Sequence, residues 1–187
     1  MTVLNNSTIR DAFTKLGERL RLERDVEILI VGGAAGVLTY ELPPAWTTAD
    51  VDAFHFELAK DREAVLSAGE EVGRELKLPS DWLNDWGGKY TWTLPDDWQS
   101  RRIKIGEFGR LRVYAVSRID LISMKFIGHR ERDLEHLQEL KVTSSEKEVV
   151  QKYLEVLTER YPAGRYPEEA GRIELARTYL DNWEIDT

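Results

Sequence analysis

Residues Val26 to Val31 have the length and β-branched content of a buried strand, and the run stops at Gly32-Gly33. Paired glycines let a backbone turn sharply and leave no Cβ between the main chain and a ligand. The next segment, Ala34 to Tyr40, is compatible with a short helix whose first amides would be free to meet phosphate oxygens. A tight turn beneath a packed helix would use the same glycines, so this segment alone leaves both readings open.

The stretch after the Pro43-Pro44 loop decides between them. Thr48 to Leu58 reads as a second strand, in which alternation sends Asp50 and Asp52 to one face and Val51 to the other. Like charges so placed repel unless a cation neutralises them. Hard carboxylate oxygens suit Mg²⁺ or Mn²⁺, and Mg²⁺ keeps one or two protein carboxylates and draws its other ligands from water and phosphate. An exposed acidic strand edge is the plain alternative. Gly-Gly followed by Asp-x-Asp favours a metal-phosphate site and points to nucleotidyl transfer.

The rest of the chain reads as α/β. Thr8 to Glu23 is an amphipathic helix capped by Ser7 or Thr8, with Ile9, Phe13, Leu16 and Leu20 on one stripe. A second helix spans Asp61 to Leu76 and is ended by Leu78-Pro79. Strands are expected over Lys89 to Leu94, Arg101 to Glu107 and Arg110 to Val116, the last two joined by a turn at Phe108-Gly109. Helices follow over 118 to 140, with a break near Gly128, then over Ser144 to Tyr161 and Pro167 to Trp183. The division is an α/β part, 1–117, and a helical C-terminal part, 118–187, within a single domain, which suits 187 residues.

The absence of cysteine excludes disulfides, thiolate metal sites and cysteine nucleophiles. No apolar run approaches the ~20 residues of a membrane span, and the first residues lack the pattern of a signal peptide. The expectation is a soluble, cytoplasmic protein. A net charge of −8 disfavours non-specific binding to a phosphate backbone. The basic stretch Arg101, Arg102, Lys104, Arg110, Arg112 and Arg118 is the local exception, and solvated strand faces explain it more simply.

Three further groups of side chains call for interpretation. Lys125, His129 and Asp133 share a face if their helix is continuous, where they offer either a cation for phosphates or an exposed salt-bridge ladder. His129, Asp133 and His136 have ligand chemistry and spacing for zinc, but surface histidines on a helix are usually no more than that. Trp82, Trp86, Trp92 and Trp98 suit core filling better than base stacking.

Together these residues resemble the polymerase β-type nucleotidyltransferase superfamily, and more closely the DUF6036 family related to AbiEii toxins of type IV toxin-antitoxin systems. The resemblance is carried by Gly32-Gly33 with Asp50-Val51-Asp52, by Asp81-Trp82-Leu83-Asn84, and by the strand Leu111 to Ala115. Leu121-Ile122-Ser123-Met124-Lys125, Arg130 and Arg132-Asp133-Leu134 complete it, over roughly residues 26 to 140. It implies a nucleotidyltransferase-like mixed β-sheet flanked by helices, with a helical C-terminal part. It implies Asp50 and Asp52 as catalytic Mg²⁺ ligands, Lys125 and Asp133 as further catalytic residues, and Gly32, Gly33, Ala34, Thr48 and Arg130 as nucleotide contacts. The implied substrates are a nucleoside triphosphate and an acceptor hydroxyl on tRNA or protein, with a cognate antitoxin as partner and no membrane. A domain that has lost catalysis and binds only a nucleotide or a partner protein is the alternative. Trp46 stands where the family commonly has Arg, and the interval from Gly33 to Asp50 is longer than usual. Glu107 is the best placed acid in chain order for the superfamily's third carboxylate.

Overall fold

The structure is a computed structural model that describes residues 3–184 except 40, 44, 55 and 57. Tyr40 of the expected short helix, and His55 and Glu57 of the expected second strand, therefore lie outside the described residues.

The hydrophobic run is strand β1, Val26–Val31, at the centre of a five-stranded mixed sheet of order β3-β2-β1-β5-β4. β2 (Val51–Phe54) lies antiparallel to β1 with Asp52 opposite Val31, and β5 (Leu111–Ala115) lies parallel to it on the other side. β3 is only Leu83–Asn84, parallel to β2, and sets Asn84 opposite Asp52. β4 (Ile103–Phe108) forms the far edge, antiparallel to β5. A central strand flanked by helices is apolar almost throughout, and the one partly exposed residue of β1, Glu27, accepts from Arg102 at 2.7 Å.

The expected second strand is divided. Thr48 makes an isolated bridge to Leu4, with N···O distances of 2.8 and 2.9 Å, and the β2 ladder begins only at Val51, so Asp50 sits just before the strand.

Helix α1 (Asn6–Arg19) is capped by Asn5, whose side chain accepts from the Thr8 N–H, and so starts before the expected Ser7 or Thr8 cap and stops short of Glu23. Its stripe packs Phe13 against Trp82 and Phe108, with centroids 6.2 and 5.5 Å apart. α1 also meets the β4–β5 turn closely, since a Cβ on Gly17 would fall 1.9 Å from the Phe108 carbonyl oxygen. α2 (Gly32–Leu38) follows β1, and α3 (Ala59–Leu76) ends at Lys77 in the left-handed conformation.

Residues 89 to 94 are not the expected strand. Trp86–Thr93 is a 3₁₀ helix laid on the end of the sheet. Gly87 makes that approach possible, because a Cβ there would fall 2.7 Å from Val31 Cγ2 and 3.3 Å from Asp52 Cβ. A short helix, α4 (Trp98–Arg101), then delays the start of β4 to Ile103.

The expected helix over 118 to 140 is two helices, α5 (Arg118–Gly128) and α6 (Glu131–Leu140), broken where His129 takes φ 49°. α7 (Ser144–Arg160) and α8 (Pro167–Asp181) complete the chain. Buried apolar residues from Leu4 to Leu180 form one cluster that runs through both parts. Among the described residues, no helix is long and apolar enough to cross a membrane.

The basic stretch is neutralised mostly by acids distant in sequence. Arg101 pairs with Asp97 and Asp120, Arg102 with Glu27, Arg110 and Arg112 with Asp25, and Arg118 with Glu41 and Glu146, while Lys104 pairs locally with Glu107.

Candidate functional site

A cleft of about 310 Å³ opens beside the C-terminal end of β1, where the glycine turn, the Thr48–Asp52 segment, the 3₁₀ helix and the α5–α6 break converge. Gly32 takes φ +67°, a conformation that disfavours a side chain, and a Cβ on it would fall 3.0 Å from Asp52 Oδ2. The turn therefore lies directly against the second carboxylate. At Gly33 a Cβ would be 2.9 Å from Thr48 Oγ1 and 3.3 Å from His136 Cε1. Gly33→Ala is expected to cost about 1–2 kcal/mol of stability through this overpacking, measurable by urea unfolding.

Asp50 and Asp52 both line the cleft. Burial, followed by the neighbouring Asp50 charge, pushes the Asp52 carboxyl up to about 6, and burial also raises Asp50. Two desolvated carboxylates that interact in this way are stabilised as anions by a cation. Asn84, from β3, donates to Asp50 Oδ2 at 3.2 Å and accepts from the Trp86 N–H at 2.9 Å. One amide thus ties the carboxylate pair to the start of the 3₁₀ helix.

The opposite wall comes from α5 and α6. Lys125 is only 2% exposed, and its Nζ lies 3.2 Å from Asp133 Oδ1 and 2.5 Å from His136 Nδ1. Burial lowers the Lys125 ammonium to about 8. Burial and the adjacent Lys125 charge push the His136 imidazole down to about 3, so at neutral pH an ammonium donates to the Nδ1 lone pair of a neutral ring. That bond places the ring proton on Nε2, which is buried without a hydrogen-bond partner among the described residues. Burial raises the Asp133 carboxyl, but the Arg130 hydrogen bond at 2.8 Å and the Lys125 charge outweigh it and hold it below its ordinary value. Asp133 also accepts from the Arg130 backbone N–H at 3.3 Å, which starts α6.

Of the catalytic and nucleotide-contact residues that the resemblance implies, all except Ala34 line this cleft: Gly32, Gly33, Thr48, Asp50, Asp52, Lys125, Arg130 and Asp133. Ala34 is buried behind the turn. Lys125 and Asp133 meet across the helix break rather than along one continuous helix. Lys125 is held by its partners instead of reaching freely into the cleft, and it acts on Asp52 through its field.

Other expectations are corrected. Glu107 lies exposed on edge strand β4, paired with Lys104 at 2.6 Å, so chain order misplaced it as a third acid. Histidine and carboxylate do not assemble for zinc: His129 caps α5 and packs edge-on against Tyr179, while His136 faces Lys125. Among the described residues no group of three or more His, Cys, Asp or Glu side chains could hold a metal ion. Trp82 is core, Trp92 and Trp98 are half-buried, and Trp86 lies exposed on the cleft wall. Trp46 packs edge-on against His136, with centroids 4.7 Å apart.

The sequence assigns no role to Asn84 or Arg132 beyond their motifs, and none to Lys89 or Tyr90. Lys89, Tyr90 and Arg132 line the cleft, and Lys89 and Arg130 approach the Tyr90 ring at 5.5 and 5.8 Å. The signal available was the proximity of Lys89-Tyr90 to Gly87-Gly88, a pair of glycines that marks a close backbone approach.

No curated protein and no solved structure matches the chain. A family model does match, over residues 8–163, and its description is nucleotidyltransferase of unknown function, DUF6036.

Proposed function

From the chain's membership of the DUF6036 nucleotidyltransferase family, we propose that the cleft binds a nucleoside triphosphate with Mg²⁺ or Mn²⁺ and transfers its nucleoside monophosphate to an acceptor hydroxyl. The observation that supports this most is the meeting of Gly32 with Asp52, beside Asp50 in the same cleft. A turn with no side chain lies against Asp52, which burial and the Asp50 charge hold above the ordinary range, and burial raises Asp50 beside it.

The donor set suits a hard cation. Two carboxylates at an open cleft supply what Mg²⁺ takes from protein and leave its other positions to water and phosphate. Bound by Asp50 and Asp52, the ion would supply Lewis-acid stabilisation of the phosphates and of the attacking oxygen. The chain's own groups do the rest. Gly32 and Gly33 admit the phosphates close to the backbone, Thr48 offers a hydroxyl, and Lys89, Arg130 and Arg132 set positive charge at the rim. Lys125, fixed by Asp133 and His136, adds a buried positive field. An acceptor oxygen attacks the α-phosphorus, pyrophosphate leaves, and the hydroxyl proton is released.

An acceptor on tRNA or protein, a cognate antitoxin and a toxin-antitoxin setting enter this reading through the resemblance to AbiEii toxins alone. A specific observation favours a second reading, a nucleotide-binding domain without turnover. The neighbouring strand offers the neutral Asn84 beside the pair, and Asp133 is engaged by Lys125 and Arg130.

Incubation with each α-³²P-labelled nucleoside triphosphate, Mg²⁺ or Mn²⁺, and total tRNA or protein extract separates the two. Label transfer with pyrophosphate release is the expected result. Metal-dependent binding without transfer supports the second reading, and binding that is absent or unchanged by EDTA overturns both.

A further inference from the structure

We infer that Trp86 is the stacking platform for the base of the bound nucleotide, an inference that rests on the cleft being a nucleotide site. Among the described residues Trp86 is the one exposed aromatic side chain, at 56% exposure; the other exposed large apolar side chains are aliphatic. Its ring has no aromatic or cationic partner among the described residues, whereas the Tyr90 ring one turn on is approached by Lys89, Arg130 and Arg172. An indole face open at the wall of a cleft is available to stack on a planar ligand that enters it.

Its position is built. The Trp86 backbone N–H donates to Asn84 Oδ1, and Asn84 also holds Asp50, so the main chain that carries the indole is tied to Asp50 through one side chain. Gly87, the next residue, lies on Val31 and Asp52 at the closest approach of the 3₁₀ helix to the sheet. Lys89 lies three residues beyond Trp86, on the same side of a 3₁₀ turn, and also lines the cleft.

Size gives the direction. The cleft, at about 310 Å³, is at the small end of ligand pockets, about 300–1,000 Å³. With triphosphate and ribose at the glycine turn and the carboxylates, the base is left at the mouth, where Trp86 stands. Stacking on an indole face tolerates any base, so the platform supplies affinity, with purines favoured by their larger faces.

The test is calorimetric titration of ATP, UTP and inorganic tripolyphosphate, each with Mg²⁺, into the wild-type chain, Trp86→Ala and Trp86→Phe. Trp86→Ala is expected to weaken ATP about tenfold and UTP less, leave tripolyphosphate unchanged, and be largely restored by Trp86→Phe. Equal ATP affinity in wild type and Trp86→Ala overturns the inference, as does an equal loss of ATP and tripolyphosphate. Wild-type protein that binds tripolyphosphate as tightly as ATP overturns the platform and leaves the phosphate site standing. Wild-type protein that binds neither overturns both readings.

Discussion

Replacing Asp50 and Asp52 together by Asn is expected to abolish Mg²⁺-dependent nucleotide binding while making the folded chain more stable at neutral pH. The two effects have one origin. Each carboxylate is held above its ordinary value by burial, and Asp52, at about 6, also by its neighbour's charge. For Asp52 the folded state binds more protons than the unfolded state between the ordinary value of 3.8 and about 6. Stability therefore falls as pH rises through that window, and the penalty is fully present above it. Asn keeps the shape and removes the charge, so a gain on the order of 1 kcal/mol is expected at pH 7. Thermal unfolding of wild type and variant from pH 3 to 8 should give curves that converge near pH 4 and separate above pH 6, while calorimetry shows no Mg²⁺-nucleotide binding by the variant. A variant that loses both binding and stability would mean that these aspartates are structural.

Lys125→Met should separate stability from affinity in a different way. Met retains the aliphatic length within the α5–α6 contact, and Asp133 keeps Arg130 at 2.8 Å. Removing one partner of a buried ion pair typically costs about 3–5 kcal/mol, and the Arg130 contact that remains on Asp133 is expected to hold the loss to about 1–3 kcal/mol here. Nucleotide affinity should fall about 10- to 100-fold, because the site loses the positive field that acts on Asp52 and the phosphates. The pH signature is specific. Lys125 is lowered from 10.5 to about 8, so between those values the folded state binds fewer protons than the unfolded state. Wild-type stability should rise with pH across that window, and the Lys125→Met curve should lack that rise. Urea midpoints from pH 7 to 11 test it; parallel curves for the two proteins would contradict the buried ammonium.

What the sequence disclosed follows from the range of the interactions involved. β1 and its glycine end rest on local rules and stand where those rules put them, whereas Asp50 and Asp52 share the cleft although Asp50 precedes the strand on which alternation placed both. The helix break near Gly128 was legible for the same reason, although His129 carries the turn. Residues 89 to 94 read as a strand because Tyr90, Thr91, Trp92 and Thr93 favour one, and the 3₁₀ conformation depends on Gly87 meeting Val31 and Asp52, residues far away in the chain. Asn84 was hidden because a two-residue strand has no periodicity to detect. The Lys125–His136 contact spans a change of helix direction that no spacing rule contains. Glu107 was misjudged because order along the chain differs from order across the sheet: two strands, β1 and β5, separate β4 from β2. The neutralisation of the basic stretch was invisible too, since most of its acidic partners, such as Asp25, Glu27 and Glu41, come from other elements.

The central claim is that Asp50, Asp52 and the Gly32-Gly33 turn together hold a metal-bound triphosphate. Crystals grown with a non-hydrolysable nucleoside triphosphate analogue and Mn²⁺ test it most directly, through the anomalous signal of the metal. The expected map has a Mn²⁺ peak bridging Asp50 and Asp52 with the phosphates against Gly32 and Gly33; a fully bound analogue with its metal elsewhere would contradict the account.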